Sequence, residues 1–149
     1  MKYFILFLLS LVNFVSCNEN NRNINYTAKN YVYFRLDLNT KYARPLLSPA
    51  GMVLITDVNR VGETVGANGI AIVRAIDKID EYYAFDLTCP YDYPNNVSIE
   101  IGDADLYCPK CGSRFQVMYG NGAPTNGPAN KPLFRYKVVK NGNVLIVSV

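Results

Sequence analysis

DLTCPYDYPNNVSIEIGDADLYCPKCGSRF, running from Asp86 to Phe115, is the stretch that decides how this chain is read. It holds three of the four cysteines, Cys89, Cys108 and Cys111. Two of them open Cys-Pro dipeptides, and Gly112-Ser113 follows the last. Cysteines carried on two separate turns suggest a pair of loops that grip a metal. Cys108-Pro109-Lys110-Cys111 alone admits a redox dithiol, half of a zinc site or a disulfide. Cys89, in a similar loop after a similar strand, makes the signal more specific.

The whole chain narrows the chemistry. Its 149 residues suit one domain, and half of them are hydrophobic, so the chain has a core to bury. A net charge of +3 and the absence of tryptophan give no footprint for nucleic acid. There is no histidine at all, which removes Ser-His and Cys-His nucleophile pairs, imidazole proton relays and histidine metal ligands. Any metal must be held by thiolate, carboxylate, phenolate or backbone oxygen.

Upstream of the loops, Met1 to Ser16 is a short positive start followed by an apolar run too short to span a membrane. Cys17 falls where that run ends, as in a bacterial lipobox. The expectation is a lipoprotein signal peptide over 1–16, a lipidated Cys17 opening an asparagine-rich tether over 17–30, and a folded domain over 31–149. It places the protein in the bacterial cell envelope, outside the cytoplasm, held to a membrane by lipid. A plain signal peptide that leaves Cys17 as a free thiol is the alternative.

The domain itself reads as strands. Tyr31 to Leu38, Met52 to Val58, Gly69 to Asp77 and Tyr82 to Leu87 are aromatic or β-branched, with breaks at Arg44-Pro45, Ser48 to Gly51 and Arg60 to Asn68. Leu106-Tyr107 and Arg114 to Met118 flank the second cysteine loop, and Tyr119 to Pro132 reads as irregular. Leu133 to Lys140 and Asn143 to Val149 form a closing hairpin, with Asn141-Gly142 as its predicted turn. No amphipathic helix and no repeat is evident. The expected fold class is all-β, a small antiparallel sandwich or barrel.

With these residues in view, the sequence resembles the Rieske family of iron–sulfur domains. That family's mark, C-x-H in one loop and C-x-x-H in another, is matched by Cys89-Pro90-Tyr91 and Cys108-Pro109-Lys110-Cys111. The likeness extends through Gly112-Ser113-Arg114-Phe115, then Gly127-Pro128-Ala129, Pro132-Leu133 and Tyr136, and covers about Tyr31 to Val149. It implies a two-loop subdomain binding a [2Fe–2S] cluster and an electron-transfer role with a redox protein partner. Two cysteines hold one iron and two histidines the other in such centres. Cys89 and Cys108 keep the cysteine positions, while Tyr91 and Cys111 stand at the histidine positions. Lys110 stands where some members carry a disulfide cysteine. Ser113 matches the serine that hydrogen-bonds a cluster sulfur, and it also reads as an ordinary turn hydroxyl.

Three outcomes stay open on the residues. A [2Fe–2S] cluster could be held by Cys89, Cys108, Cys111 and an oxygen from Tyr91 or Asp92, with added negative charge lowering its potential toward roughly −400 mV. Zinc could be held with Asp92, Asp103 or Asp105 completing the set. Or the site is metal-free, two cysteines pair, most simply within Cys108–Cys111, and the domain serves for binding or structure. No catalytic residue is identified.

Overall fold

The computed structural model describes residues 31–93 and 95–149, and the expected signal segment, Cys17 and the tether lie outside them. The described chain is all-β apart from one 3-10 turn, as the alternating and β-branched runs require. In order come β1 (Val32–Asp37), the 3-10 helix (Lys41–Leu47), β2 (Met52–Ile55), β3 (Thr64–Val65), β4 (Ile70–Arg74) and β5 (Tyr82–Asp86). They are followed by β6 (Glu100–Ile101), β7 (Leu106–Tyr107), β8 (Arg114–Gln116), β9 (Ala123–Asn126), β10 (Arg135–Asn141) and β11 (Val144–Ser148). No described helix is long and apolar enough to cross a membrane.

Two antiparallel sheets result. The larger runs β2-β4-β5-β10-β11-β1-β3, and the smaller runs β6-β7-β8-β9. The larger sheet wraps one core, into which β1 sends Val32, Phe34 and Leu36 while β11 sends Leu145 and Val147. The period-2 alternation of β1 has this cause: Arg35, between two inward residues, points to solvent. Together the sheets make a small, nearly closed antiparallel β-sandwich.

β4 and β5 are buried on both faces. Ile70, Ile72, Tyr82 and Ala84 enter the larger sheet's core. Their neighbours Ala71, Val73, Tyr83 and Phe85 enter a second core, shared with Leu87, Ile99, Leu106, Phe115, Val117 and Leu133. Strands covered on both sides read as continuous apolar runs, which is why Ile70 to Val73 shows no polar break. The second core fastens the smaller sheet to the larger one. Each large side chain fully buried there contributes about 1.5–3 kcal/mol.

Three local expectations are corrected. Arg60 to Asn68 contains β3, which pairs Val65 with Val32 at the sheet edge. Tyr119 to Pro132 contains β9, whose residues Ala123, Pro124 and Asn126 pair with β8 across a bulge at Arg114/Phe115. The closing turn lies one residue further on: Asn141 pairs with Val144, so Gly142-Asn143 are the central residues. Only Gly142 has positive φ, at 58°, as a type II′ turn demands of its first central residue.

Candidate metal centre

The smaller sheet is inserted between β5 and β10, and the two cysteine loops are its consequence. β5 runs out into the first loop. Thr88 bridges Ser98, and the Cys89 N–H donates to Val97 O at 2.9 Å, so the loop is closed at its base. β7 and β8 form a hairpin whose tip is the second loop. There the Cys108 N–H donates to Ser113 O at 2.8 Å and the Gly112 N–H to Cys108 O at 2.9 Å. Beneath the first loop Asp86 is buried and accepts from the Thr88 N–H at 2.6 Å and the Tyr136 hydroxyl at 2.5 Å. Burial first, and then that carboxylate, holds the Tyr136 phenol above its usual value.

The two tips converge. The donor atoms of Cys89, Asp92, Cys108 and Cys111 all lie within 4.8 Å of one another. The Cys89 and Cys111 sulfurs are 3.7 Å apart, and the Cys108 Sγ lies 3.5 Å from Asp92 Oδ2. All three cysteines are free. Cys89, Asp92 and Cys108 are buried, while Cys111 reaches partly to the surface.

Each loop also aims backbone donors at its first sulfur. The Asp92 and Tyr91 N–H groups hydrogen-bond toward Cys89, and those of Cys111 and Lys110 toward Cys108. These favour the thiolates, but burial dominates. It pushes the Cys89 thiol up to about 12 and raises Cys108 as well. Asp92 runs the other way. Burial pushes its carboxyl up, but hydrogen bonds from Lys110 and from the Cys111 and Cys108 thiols together hold it below the usual carboxylate range. Lys110 Nζ sits 3.1 Å from Asp92 Oδ1, leaving Oδ2 turned to Cys108.

Ser113 braces this arrangement from the far side. It is fully buried, its Oγ lies 3.1 Å from Cys111 Sγ, and it accepts the Ala129 N–H at 3.0 Å. Residue 127 must be glycine for this contact. A Cβ there would fall 2.5 Å from Ser113 Cα, and φ is +84°. The Gly127-Pro128-Ala129 segment therefore presses directly on the second loop.

Of the residues singled out in the sequence, Cys89, Cys108, Cys111 and Ser113 come together at one point. Tyr91 is 55% exposed and contributes its backbone N–H, whereas its neighbour Asp92 supplies the fourth donor of the group. Asp105 is taken up by Arg114, which donates to it through Nε at 2.6 Å and through an Nη at 2.7 Å, and Asp103 is exposed. Asp92 had a legible signal. Cys89-Pro90-Tyr91-Asp92 and Cys108-Pro109-Lys110-Cys111 share one spacing, C-P-x-x, with a donor at both ends.

No family model matches the sequence, and no curated protein matches it. Among solved structures, the chain is similar to one in the complex of reduced oxygenase and oxidized ferredoxin in carbazole 1,9a-dioxygenase. There the identity is 22%, the match covers 80% of this chain and 94% of the other, and the TM-score is 0.49. It is also similar to the ferredoxin of carbazole 1,9a-dioxygenase from Nocardioides aromaticivorans IC177, at 22% identity, with 78% and 96% covered and a TM-score of 0.45. Both are distant likenesses of shape. The Cys/Asp cluster, capable of coordinating a metal, rests on this chain's own geometry.

Proposed function

We propose that this protein is an electron carrier built on a single thiolate-held iron ion, with Cys89, Asp92, Cys108 and Cys111 as its ligands. The observation that carries the single-ion part of the reading is the spacing of the donors. A tetrahedral ion with bonds near 2.3 Å to sulfur needs sulfurs about 3.8 Å apart. Cys89 and Cys111 stand at 3.7 Å, and the sulfur–oxygen pair Cys108–Asp92 at 3.5 Å.

A [2Fe–2S] cluster fits these residues less well. Each iron would hold its own terminal pair, and the pairs would stand apart by the added width of the two irons and their bridging sulfides. The four donors, all within 4.8 Å of one another, stand closer together than two such pairs would. The pairing also differs. The resemblance groups Cys89 with Cys108; in the folded chain these two stand within 4.8 Å, while Cys89 also meets Cys111 at 3.7 Å and Cys108 meets Asp92 at 3.5 Å.

Iron in this set supplies a one-electron couple. The chain's residues supply the surroundings. Four protein donors fill a tetrahedron and leave no open position for substrate, which favours a carrier over a catalyst. Cavities of about 630 and 440 Å³ lie elsewhere, and none of the four donors lines either. The backbone N–H groups directed at Cys89 and Cys108 stabilise added negative charge, as does the Lys110 ammonium beside Asp92. Cys111, the partly exposed ligand, is the edge through which an electron would pass to a redox protein partner.

Zinc is the second reading. Three buried donors and a closed, sulfur-rich tetrahedron also suit a structural zinc ion that pins the two loops. Anaerobic purification, metal analysis and a visible spectrum separate the readings. Iron gives a thiolate-to-ferric absorption that dithionite bleaches. A colourless protein carrying one zinc replaces the carrier with a structural centre, and a metal-free protein removes both.

The proposal includes a lipid anchor at Cys17, supported by the apolar run that precedes it, and a place at the bacterial cell envelope. Incorporation of labelled fatty acid into the wild-type chain, lost in Cys17→Ser, is the expected result. Equal labelling of both would remove the anchor.

A further inference from the structure

The sulfur contact across the two loops has a second chemistry. We propose that the metal-free protein carries a specific oxidation site, in which a small-molecule disulfide converts Cys89 and Cys111 into a cross-link between the loops. The proposal rests on the metal reading only in that such a cross-link would remove two of the four ligands and so prevent rebinding of the ion.

Three observations select this pair. First, the Cys89 and Cys111 sulfurs, one from each loop, are already in contact at 3.7 Å. Second, Cys111 is the partly exposed cysteine of the three, so an incoming disulfide meets it first. Third, Cys108 is engaged elsewhere: its sulfur also lies within 4.8 Å of the other two, but its thiol donates to Asp92 Oδ2 at 3.5 Å. The pairing within Cys108–Cys111, the simplest one by sequence, is therefore not the one the fold prepares.

The chemistry balances with a dialkyl disulfide, RSSR, as oxidant. The Cys111 thiolate attacks one sulfur of RSSR, forming Cys111–S–SR and releasing RS⁻. Cys89, its proton passing to the RS⁻ released in the first step, then attacks Cys111 Sγ, forming the Cys89–Cys111 bond and releasing the second RS⁻. Two electrons pass from the protein thiols to RSSR, and the two thiol protons end on two RSH. Cys89 is buried beside the attacked sulfur, so the mixed disulfide is resolved inside the protein. The remaining pair, Cys108 and Asp92, offers one sulfur and one oxygen. That is half of a tetrahedral set.

The full chain, stripped of metal by a chelator under reducing conditions, is treated with oxidised glutathione and blocked with iodoacetamide. Digestion with trypsin and a glutamate-specific protease cuts after Lys110 and Glu100, which separates all three cysteines onto different peptides. The expected product joins the Cys89 and Cys111 peptides and leaves Cys108 alkylated. A Cys108–Cys111 product, or alkylation of all three, overturns the proposal. Cys108→Ser is expected to keep the cross-link, because Cys89 attacks Cys111 directly; loss of the cross-link in that variant contradicts direct attack. A parallel sample of reduced protein is assayed for metal uptake. Uptake without cross-linking defeats this inference alone, while cross-linking without uptake defeats the metal reading and leaves the oxidation site standing.

Discussion

The larger sheet and the smaller one are built to different standards. In the body, β10 has seven residues, β1 has six, and both pair along most of their length with β11. In the cap that carries the cysteines, β6 and β7 have two residues each, and both residues of β6 are exposed. The body closes its own core. The cap is held by the second face of β4 and β5, by the Asp105–Arg114 ion pair, and by whatever joins its two tips. Apart from the two-residue edge strand β3, strand length in this molecule follows duty. Long ladders make a platform, and short strands present loops whose final position is left to the donors.

That contrast can be broken at Phe115, which is fully buried between cap and body. Phe115→Ala is expected to cost about 3–5 kcal/mol. Hydrogen exchange should show the loss in β7 and β8 amides while β1 and β11 stay protected. The matched Leu145→Ala, in the body core, should cost about 2–5 kcal/mol and expose both sheets together. Equal, global loss in both variants would erase the distinction between the two regions.

The next largest effect is on metal affinity against pH. Cys89 is pushed up to about 12 and Cys108 is also raised, so in the metal-free protein both keep their protons at neutral pH. An ion must displace them, and affinity therefore rises with pH. The protons of Cys89 and Cys108 alone make the gain at least about 100-fold per pH unit between about pH 6 and 8, measured by chelator competition. A flat profile would mean that the thiolates are already formed. The body's melting temperature should not follow the same curve.

A smaller effect sharpens the fourth ligand. Asp92→Asn should weaken binding by about 10- to 100-fold, because a neutral amide replaces the carboxylate paired with Lys110. Tyr91→Phe should leave it unchanged, since the part played by Tyr91 is its backbone N–H. The reverse ranking would return the fourth place to the phenol.

The sequence carried the body well and the site in part. β1 was legible because Phe34 and Leu36 alternate with polar residues along a half-exposed strand. β4 and β5 were legible because strands covered on both faces run without a polar break over Ile70 to Val73 and without a charge over Tyr82 to Phe85. β3 and β9 were not. Two residues cannot show a period, and Ala123–Asn126 contains a proline and an asparagine that read as loop. At the site, Cys89, Cys108 and Cys111 stood out by residue type. The choice between Tyr91 and Asp92 did not follow from type, since both are oxygen donors, although the shared C-P-x-x spacing pointed to Asp92. It follows from the turn, which spends the Tyr91 N–H on Cys89 and carries the next side chain inward. The partner of each sulfur was hidden, because spacing along a loop says nothing of which tip faces which.

If two loops share one ion, its stoichiometry must show it. Anaerobically purified full-length protein is analysed together for bound metal and for acid-labile sulfide. One metal ion per chain and no sulfide is the expected result. Two irons with two sulfides per chain would contradict it and restore the bridged cluster that the donor spacing argues against.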